Sequence, residues 1–173
     1  MLHLSDALLS LQKKDMLQRI QSLYLGLAVI ALTLLFFFPI ASFLSEALYF
    51  DFSIVGLQSH VPGVNPDFPN WFTWPLAALN LIIILLLGFT IYRFKNRPQQ
   101  VLLTNIGVLL NVILVAAMLF LYTHLIEKKT GITPNYISHI GVYLPLVSLV
   151  FIMLANRAIK RDEKLVKSAD RLR

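Results

Sequence analysis

The stretch Leu81-Ile82-Ile83-Ile84-Leu85-Leu86-Leu87-Gly88-Phe89 decides the fold. On a helix of about 3.6 residues per turn it is apolar around its whole circumference, which leaves no face for water. It lies inside a longer run, Trp74 to Tyr92, and three more runs resemble it: Leu23 to Phe43, Val101 to His124 and Tyr136 to Ile159. The four contain 19 to 24 residues, with no Asp, Glu or Lys, and their one Arg, Arg157, stands at the end of the last. As helices they measure about 28 to 36 Å, the thickness of a bilayer's hydrocarbon core. The expected fold is an all-α membrane protein, a four-transmembrane-helix antiparallel bundle with spans at about 20–43, 73–93, 100–125 and 137–159.

Composition agrees. With 57% hydrophobic and 14% charged residues, the chain falls well short of the quarter or so of charged residues in a soluble domain, which excludes a soluble four-helix bundle. The absence of cysteine removes disulfides and thiolate metal sites. The first run exceeds the usual signal-peptide core, and Pro39-Ile40-Ala41-Ser42 after it offers no small-x-small cleavage pattern, so it reads as a retained span.

The net charge of +6 matters less than its placement. Lys13, Lys14 and Arg19 precede the first span, and Arg93, Lys95 and Arg97 separate the second from the third. Arg157, Lys160, Arg161, Lys164, Lys167, Arg171 and Arg173 follow the fourth. Only Lys128 and Lys129 fall on the opposite side. Cytoplasmic loops retain Lys and Arg, so both termini and the middle loop are expected in the cytoplasm. No nucleic-acid partner is implied. The segment 160–173 reads as a basic cytoplasmic helical tail, with Glu163 four residues before Lys167. Arg19 and Arg157, with Lys160, Arg161, Lys164, Lys167 and Arg171 of the tail, are the candidates for contact with anionic headgroups, at about 1 kcal/mol each, or for docking a cytoplasmic partner.

Outside, Leu48, Phe50, Phe52 and Ile54 alternate with Tyr49, Asp51, Ser53 and Val55, the period of a strand. A short strand or hairpin is expected there, before the turn-forming Pro62-Gly63, Asn65-Pro66 and Phe68-Pro69. Trp71, Phe72 and Trp74 stand where an aromatic belt meets the interface. Short connections at Arg93 to Gln100 and Leu125 to Asn135 favour up-down-up-down packing.

Polar and small residues within spans mark faces that meet. Thr104, Gly107 and Asn111 share a stripe on the third span, as do Gly141, Pro145, Ser148, Ile152 and Ala155 on the fourth, and Asn80 with Ala77 and Ile84 on the second. Asn111 and Ser148 both fall near the midplane, where a hydrogen bond between them is expected. The functional alternative is a polar path lined by Asn80, Thr104, Asn111 and Ser148. Carriers usually place ionisable groups at depth, and none stands here.

His60, His124 and His139 fall on the external side, with Glu127 one turn beyond His124. Imidazoles with a carboxylate suit zinc, although the spacing matches no recognised motif. There is no phosphate loop, Gly-x-Ser-x-Gly elbow or His-Glu-x-x-His, and the chain is not expected to be an enzyme or to need a cofactor.

The start Met16-Leu17-Gln18-Arg19-Ile20-Gln21-Ser22-Leu23-Tyr24-Leu25 and the end Arg161-Asp162-Glu163-Lys164-Leu165-Val166-Lys167-Ser168-Ala169-Asp170-Arg171-Leu172-Arg173 resemble a family of small four-span inner-membrane proteins of Bacteroidota, domain of unknown function 4293. The resemblance implies a bacterial inner-membrane location and Met16 as the natural start, with residues 1–15 an extension outside the pattern and 16–159 the transmembrane domain. It brings no activity and no catalytic residues. A contact between the termini, Arg19 with Asp162, Glu163 or Asp170, is a further expectation. The expected role is a non-enzymatic scaffold or accessory subunit with a membrane-protein partner or a second copy of itself. A small transporter or channel, or a metal- or lipid-handling protein using the external histidines, are the alternatives.

Overall fold

A computed structural model describes residues 20–44, 49–61, 68–69, 71–94, 96–130 and 135–170. The protein is mostly helical, with a small sheet at one end. Helix α1 spans Ile20–Leu34. Strands β1 (Ala41–Leu44), β2 (Tyr49–Phe52) and β3 (Leu57–Ser59) follow, then helices α2 (Trp74–Tyr92) and α3 (Arg97–Ala116). A π-helical stretch, Ala117–Tyr122, leads into α4 (Thr123–Thr130), strand β4 (Asn135–Ser138) and the long helix α5 (Ile140–Asp170).

Among the described residues, three helices are long and apolar enough to cross a membrane: α2, the continuous rod Arg97–Thr130, and Ile140–Lys164 of α5. Their inward faces repeat every three or four residues. Leu76, Asn80, Ile83, Leu87 and Thr90 are buried on α2, and Gln100, Thr104, Gly107, Asn111 and Leu114 on α3. The outward faces are just as apolar: Leu81, Ile82, Leu85 and Phe89 of α2 are exposed, as are Leu102, Leu109, Val112 and Ile113 of α3. Helices greasy on both sides suit lipid rather than water. Both α2 and α3 carry proline in the first turn, where its missing N–H costs no hydrogen bond.

The first span, expected over 20–43, is shorter as a helix. After Leu34 the chain tightens through Phe36 N–H to Thr33 O (3.2 Å) and Phe37 N–H to Leu34 O (2.9 Å). Pro39 then disfavours helical backbone at Phe38, and Ala41–Leu44 becomes β1. The fourth span, expected from residue 137, likewise starts at Ile140, because Asn135–Ser138 pairs with β1. The short strand or hairpin expected after the first span is therefore part of a four-stranded antiparallel sheet in the order β3-β2-β1-β4, its last strand recruited from the connection between α4 and α5. The third span, expected over 100–125, runs over 97–130 and is interrupted by the π-helical stretch.

Strand alternation gives the sheet two chemistries. Ala41, Phe43, Phe50 and Phe52 turn inward and are fully buried. Phe43 stacks on its register partner Phe50 (5.3 Å between ring centroids), and Phe52 lies against Tyr122 of the π-helical stretch (5.8 Å). The Tyr122 hydroxyl then donates to Phe72 O (3.1 Å), joining sheet, rod and the entry to α2. Ser42 and Asp51, the neighbouring register pair, point the other way.

Candidate functional site

Register places Ser42 of β1 opposite Asp51 of β2, and the strands beside them deliver one imidazole to each flank. His60 follows β3, held by its backbone N–H to Tyr49 O (2.8 Å) and stacked on the Tyr49 ring (4.6 Å). His139 follows β4, with its backbone N–H on Ile40 O (3.0 Å). The side chains form one chain: His60 Nε2 to Asp51 Oδ2 (2.8 Å), Ser42 Oγ to Asp51 Oδ1, and Ser42 Oγ to His139 Nε2 (2.5 Å). It crosses the sheet from end to end.

Burial, the largest single influence, pushes the Asp51 carboxyl up. Hydrogen bonds from Ser42 and His60, with the positive charge of His60 and His139, outweigh it and hold the group below its ordinary value. An ionised carboxylate only accepts, so the single Ser42 proton is committed to Asp51. His139 must then present N–H at Nε2 to the Ser42 oxygen, and His60 must present N–H at Nε2 to Asp51. Asp51 thus sets the direction of every hydrogen bond in the chain. Ser42 itself is 1% exposed.

The four-residue metal set is not assembled. His60 and His139 join this chain, but His124 is exposed on α4 with Glu127 one turn on, and neither enters it. Among the described residues no group of three or more His, Cys, Asp or Glu could hold a metal ion. Sequence reasoning singled out the two imidazoles and missed their connectors, Ser42 because it lay in a run read as helix. The alternation around Phe50 and Phe52 was the signal that turned Asp51 outward.

Between the helices, Asn111 Nδ2 donates to Ser148 Oγ (2.7 Å) and Asn80 Nδ2 to Leu32 O of α1 (3.0 Å). Thr104 Oγ1 caps Gln100 O within its own helix (2.6 Å), while Gln100 Nε2 reaches Thr90 O of α2 (3.0 Å). Asn80 and Asn111 each keep a buried Oδ1 without a protein partner.

At the end opposite the sheet, Asp162 is buried and pairs with Arg97 (3.0 Å), and Gln21 Nε2 of α1 donates to Ala158 O (3.3 Å). Arg157, Lys160, Arg161 and Lys164 remain exposed along α5. Of the other basic residues proposed for docking, Arg19 and Arg171 lie outside the described residues, as does the Lys167 side chain. So do residues 1–15 and Met16. Of the three acids expected near Arg19, Asp162, Glu163 and Asp170, Asp162 pairs with Arg97.

A family model described as Domain of unknown function (DUF4293) matches residues 17–172 of this chain. No curated protein matches it.

Proposed function

From a chain that belongs to the DUF4293 family, we propose an integral membrane protein that acts as a non-enzymatic scaffold or accessory subunit of a membrane complex. In this reading α1 is a fourth span, completing an antiparallel four-helix bundle in a bacterial inner membrane. Arg93, Arg97, Arg157, Lys160, Arg161 and Lys164 gather at the end away from the sheet, which supports the reading that this end and both termini face the cytoplasm and the sheet the outside. The basic face of α5 meets anionic headgroups there.

The observation that carries this reading is the fate of the polar groups between the helices. Asn80, Gln100 and Asn111 each commit an amide to a neighbouring helix, the usual role of such residues as interhelical glue. The His60-Asp51-Ser42-His139 chain reads as a stitch that keeps the sheet rigid for a partner.

The test is isolation from native membranes in mild detergent, followed by mass spectrometry. A larger membrane protein at fixed stoichiometry is expected, lost when exposed residues on the sheet's outer face, Leu44 and Tyr49, are changed to Lys. A chain that runs alone in every mild detergent would overturn the reading.

A small transporter or channel is the second reading, favoured by the unpartnered Oδ1 atoms of Asn80 and Asn111. Solute flux in proteoliposomes, abolished by Asn111→Leu, would select it.

A further inference from the structure

At the sheet end, a cavity of about 400 Å³ opens between the segment before α2 and helix α4, lined by Phe68, Pro69, Phe72, Leu125, Lys128 and Lys129. Leu125 stands three and four residues before the two lysines, so one face of α4 presents an apolar side chain and two cations together. The opposite wall is aromatic. The Phe68 and Phe72 rings meet at 4.7 Å, and the Lys129 ammonium lies 4.7 Å from the Phe68 ring centre. Trp71 and Trp74, 63% and 66% exposed, stand beside Phe72. Indole rings at a helix entry mark the headgroup depth of a membrane, so the cavity opens where headgroups lie.

Lys128 and Lys129 are the only Lys or Arg in the sequence between Arg97 and Arg157, against the charge bias of the rest of the chain. Their place in the last turn of α4 complements the helix dipole. That explains a charge at the helix end, but not an apolar cavity beneath it.

We propose that this cavity seats an anionic phospholipid from the leaflet at the sheet end. Phe68, Phe72 and Leu125 receive the glycerol and upper acyl region, and the phosphate-bearing headgroup lies against Lys128 and Lys129. A zwitterionic lipid fills the same apolar wall but sets its own ammonium against the lysines, so net negative charge is what the site selects. The proposal rests on the reading of the helices as spans, and not on which end faces the cytosol.

The chain supplies its own reporter, because its two tryptophans are Trp71 and Trp74. The protein is reconstituted in phosphatidylcholine vesicles containing phosphatidylglycerol, with one lipid or the other brominated near the headgroup end of its acyl chains. Quenching by brominated phosphatidylglycerol should exceed its mole fraction, by roughly fivefold for each lysine that meets the headgroup. The preference should disappear in the Lys128→Gln/Lys129→Gln variant. Equal quenching by the two lipids, or a preference unchanged in that variant, overturns the site while leaving the spans intact. No quenching by either lipid would overturn the spanning reading of α2 and the site with it.

Discussion

Asn111 of α3 donates its amide to the hydroxyl of Ser148 on α5 across 2.7 Å, and both side chains are fully buried. Two further links extend the seam: Asn156 Nδ2 to Asn105 Oδ1 (2.6 Å), and Arg97 to Asp162 (3.0 Å). Fourteen residues from Asn111 to Arg97 are matched by fourteen from Ser148 to Asp162, so the two helices run antiparallel and in step. In lipid, where apolar surface gives no push, such polar links and close approach set helix register. On the side of α3 that faces α2, Gly107 supplies a close approach: a β-carbon there would meet Leu87 Cδ2 at 3.1 Å.

Ser148→Ala should cost about 1–2 kcal/mol, because it leaves the Asn111 amide buried beside an already unpartnered Oδ1. Asn111→Leu in the same background should cost less than the two changes summed, with a coupling of about 0.6 kcal/mol and no more than about 1.7. A double-mutant cycle in detergent unfolding measures it. Zero coupling would mean that the bond does not form in the folded protein.

Asp51 makes acid stability a second readout. Its folded pKa lies below the ordinary carboxylate value, so its contribution is complete above that ordinary value, about pH 4, and is lost as pH falls through the lower folded one. Parent and Asp51→Asn melting temperatures in detergent should differ by a constant amount near neutrality and converge in acid. A gap that persists unchanged to about pH 2 would remove the carboxylate from the stitch.

What the sequence disclosed depends on how many states an apolar run can take. Trp74–Tyr92 could be bounded from residues alone, since nineteen greasy residues between an aromatic belt and Arg93 have no other use. Ala41-Ser42-Phe43 and Tyr136-Ile137-Ser138 are equally greasy, and short apolar segments do not distinguish strand from helix. Pairing makes them strands: Ala41–Leu44 pairs with the nearby Tyr49–Phe52 and with Asn135–Ser138, more than ninety residues away. The same strand register assembles His60, Asp51, Ser42 and His139, with only the Ser42–His139 link long-range, which is why two of the four stood out by type and the connection did not. The Asn111–Ser148 bond was legible because helical spacing alone sets both depth and face.

Arg97 and Asp162 should behave as a unit. Arg97→Ala leaves a carboxylate whose side chain is 6% exposed without its cation, while the Arg97 side chain, at 16%, retains some water. A loss of about 1–3 kcal/mol is expected, below the full value for a deeply buried pair. Adding Asp162→Ala should restore part of it, because the stranded charge is gone. If the double variant is less stable than Arg97→Ala alone, burial of the lone carboxylate is not the cost.

The glycines divide by what surrounds them, which yields a graded test of the sheet-to-helix junction. Gly141 opens α5 one residue inside its start, and its backbone N–H donates to Pro39 O at 3.1 Å. A β-carbon there would stand 2.4 Å from that oxygen and 2.8 Å from its carbon. Both are backbone atoms with no rotamer to yield, so Gly141→Ala must move the Pro39 peptide and with it the entry to β1. At Gly107 the obstacle is the end of the Leu87 side chain, which can turn. At Gly26 and Gly88 nothing lies within 4 Å, and both sit inside helices, where alanine is favoured over glycine by about 0.5–1 kcal/mol. Thermal unfolding in one detergent should therefore rank Gly141→Ala well below the parent, Gly107→Ala modestly below it, and Gly26→Ala and Gly88→Ala level with it or above. Gly141→Ala at parental stability would mean that β1 does not close against the start of α5, and the placement of His139 beside Ser42 would fall with that contact.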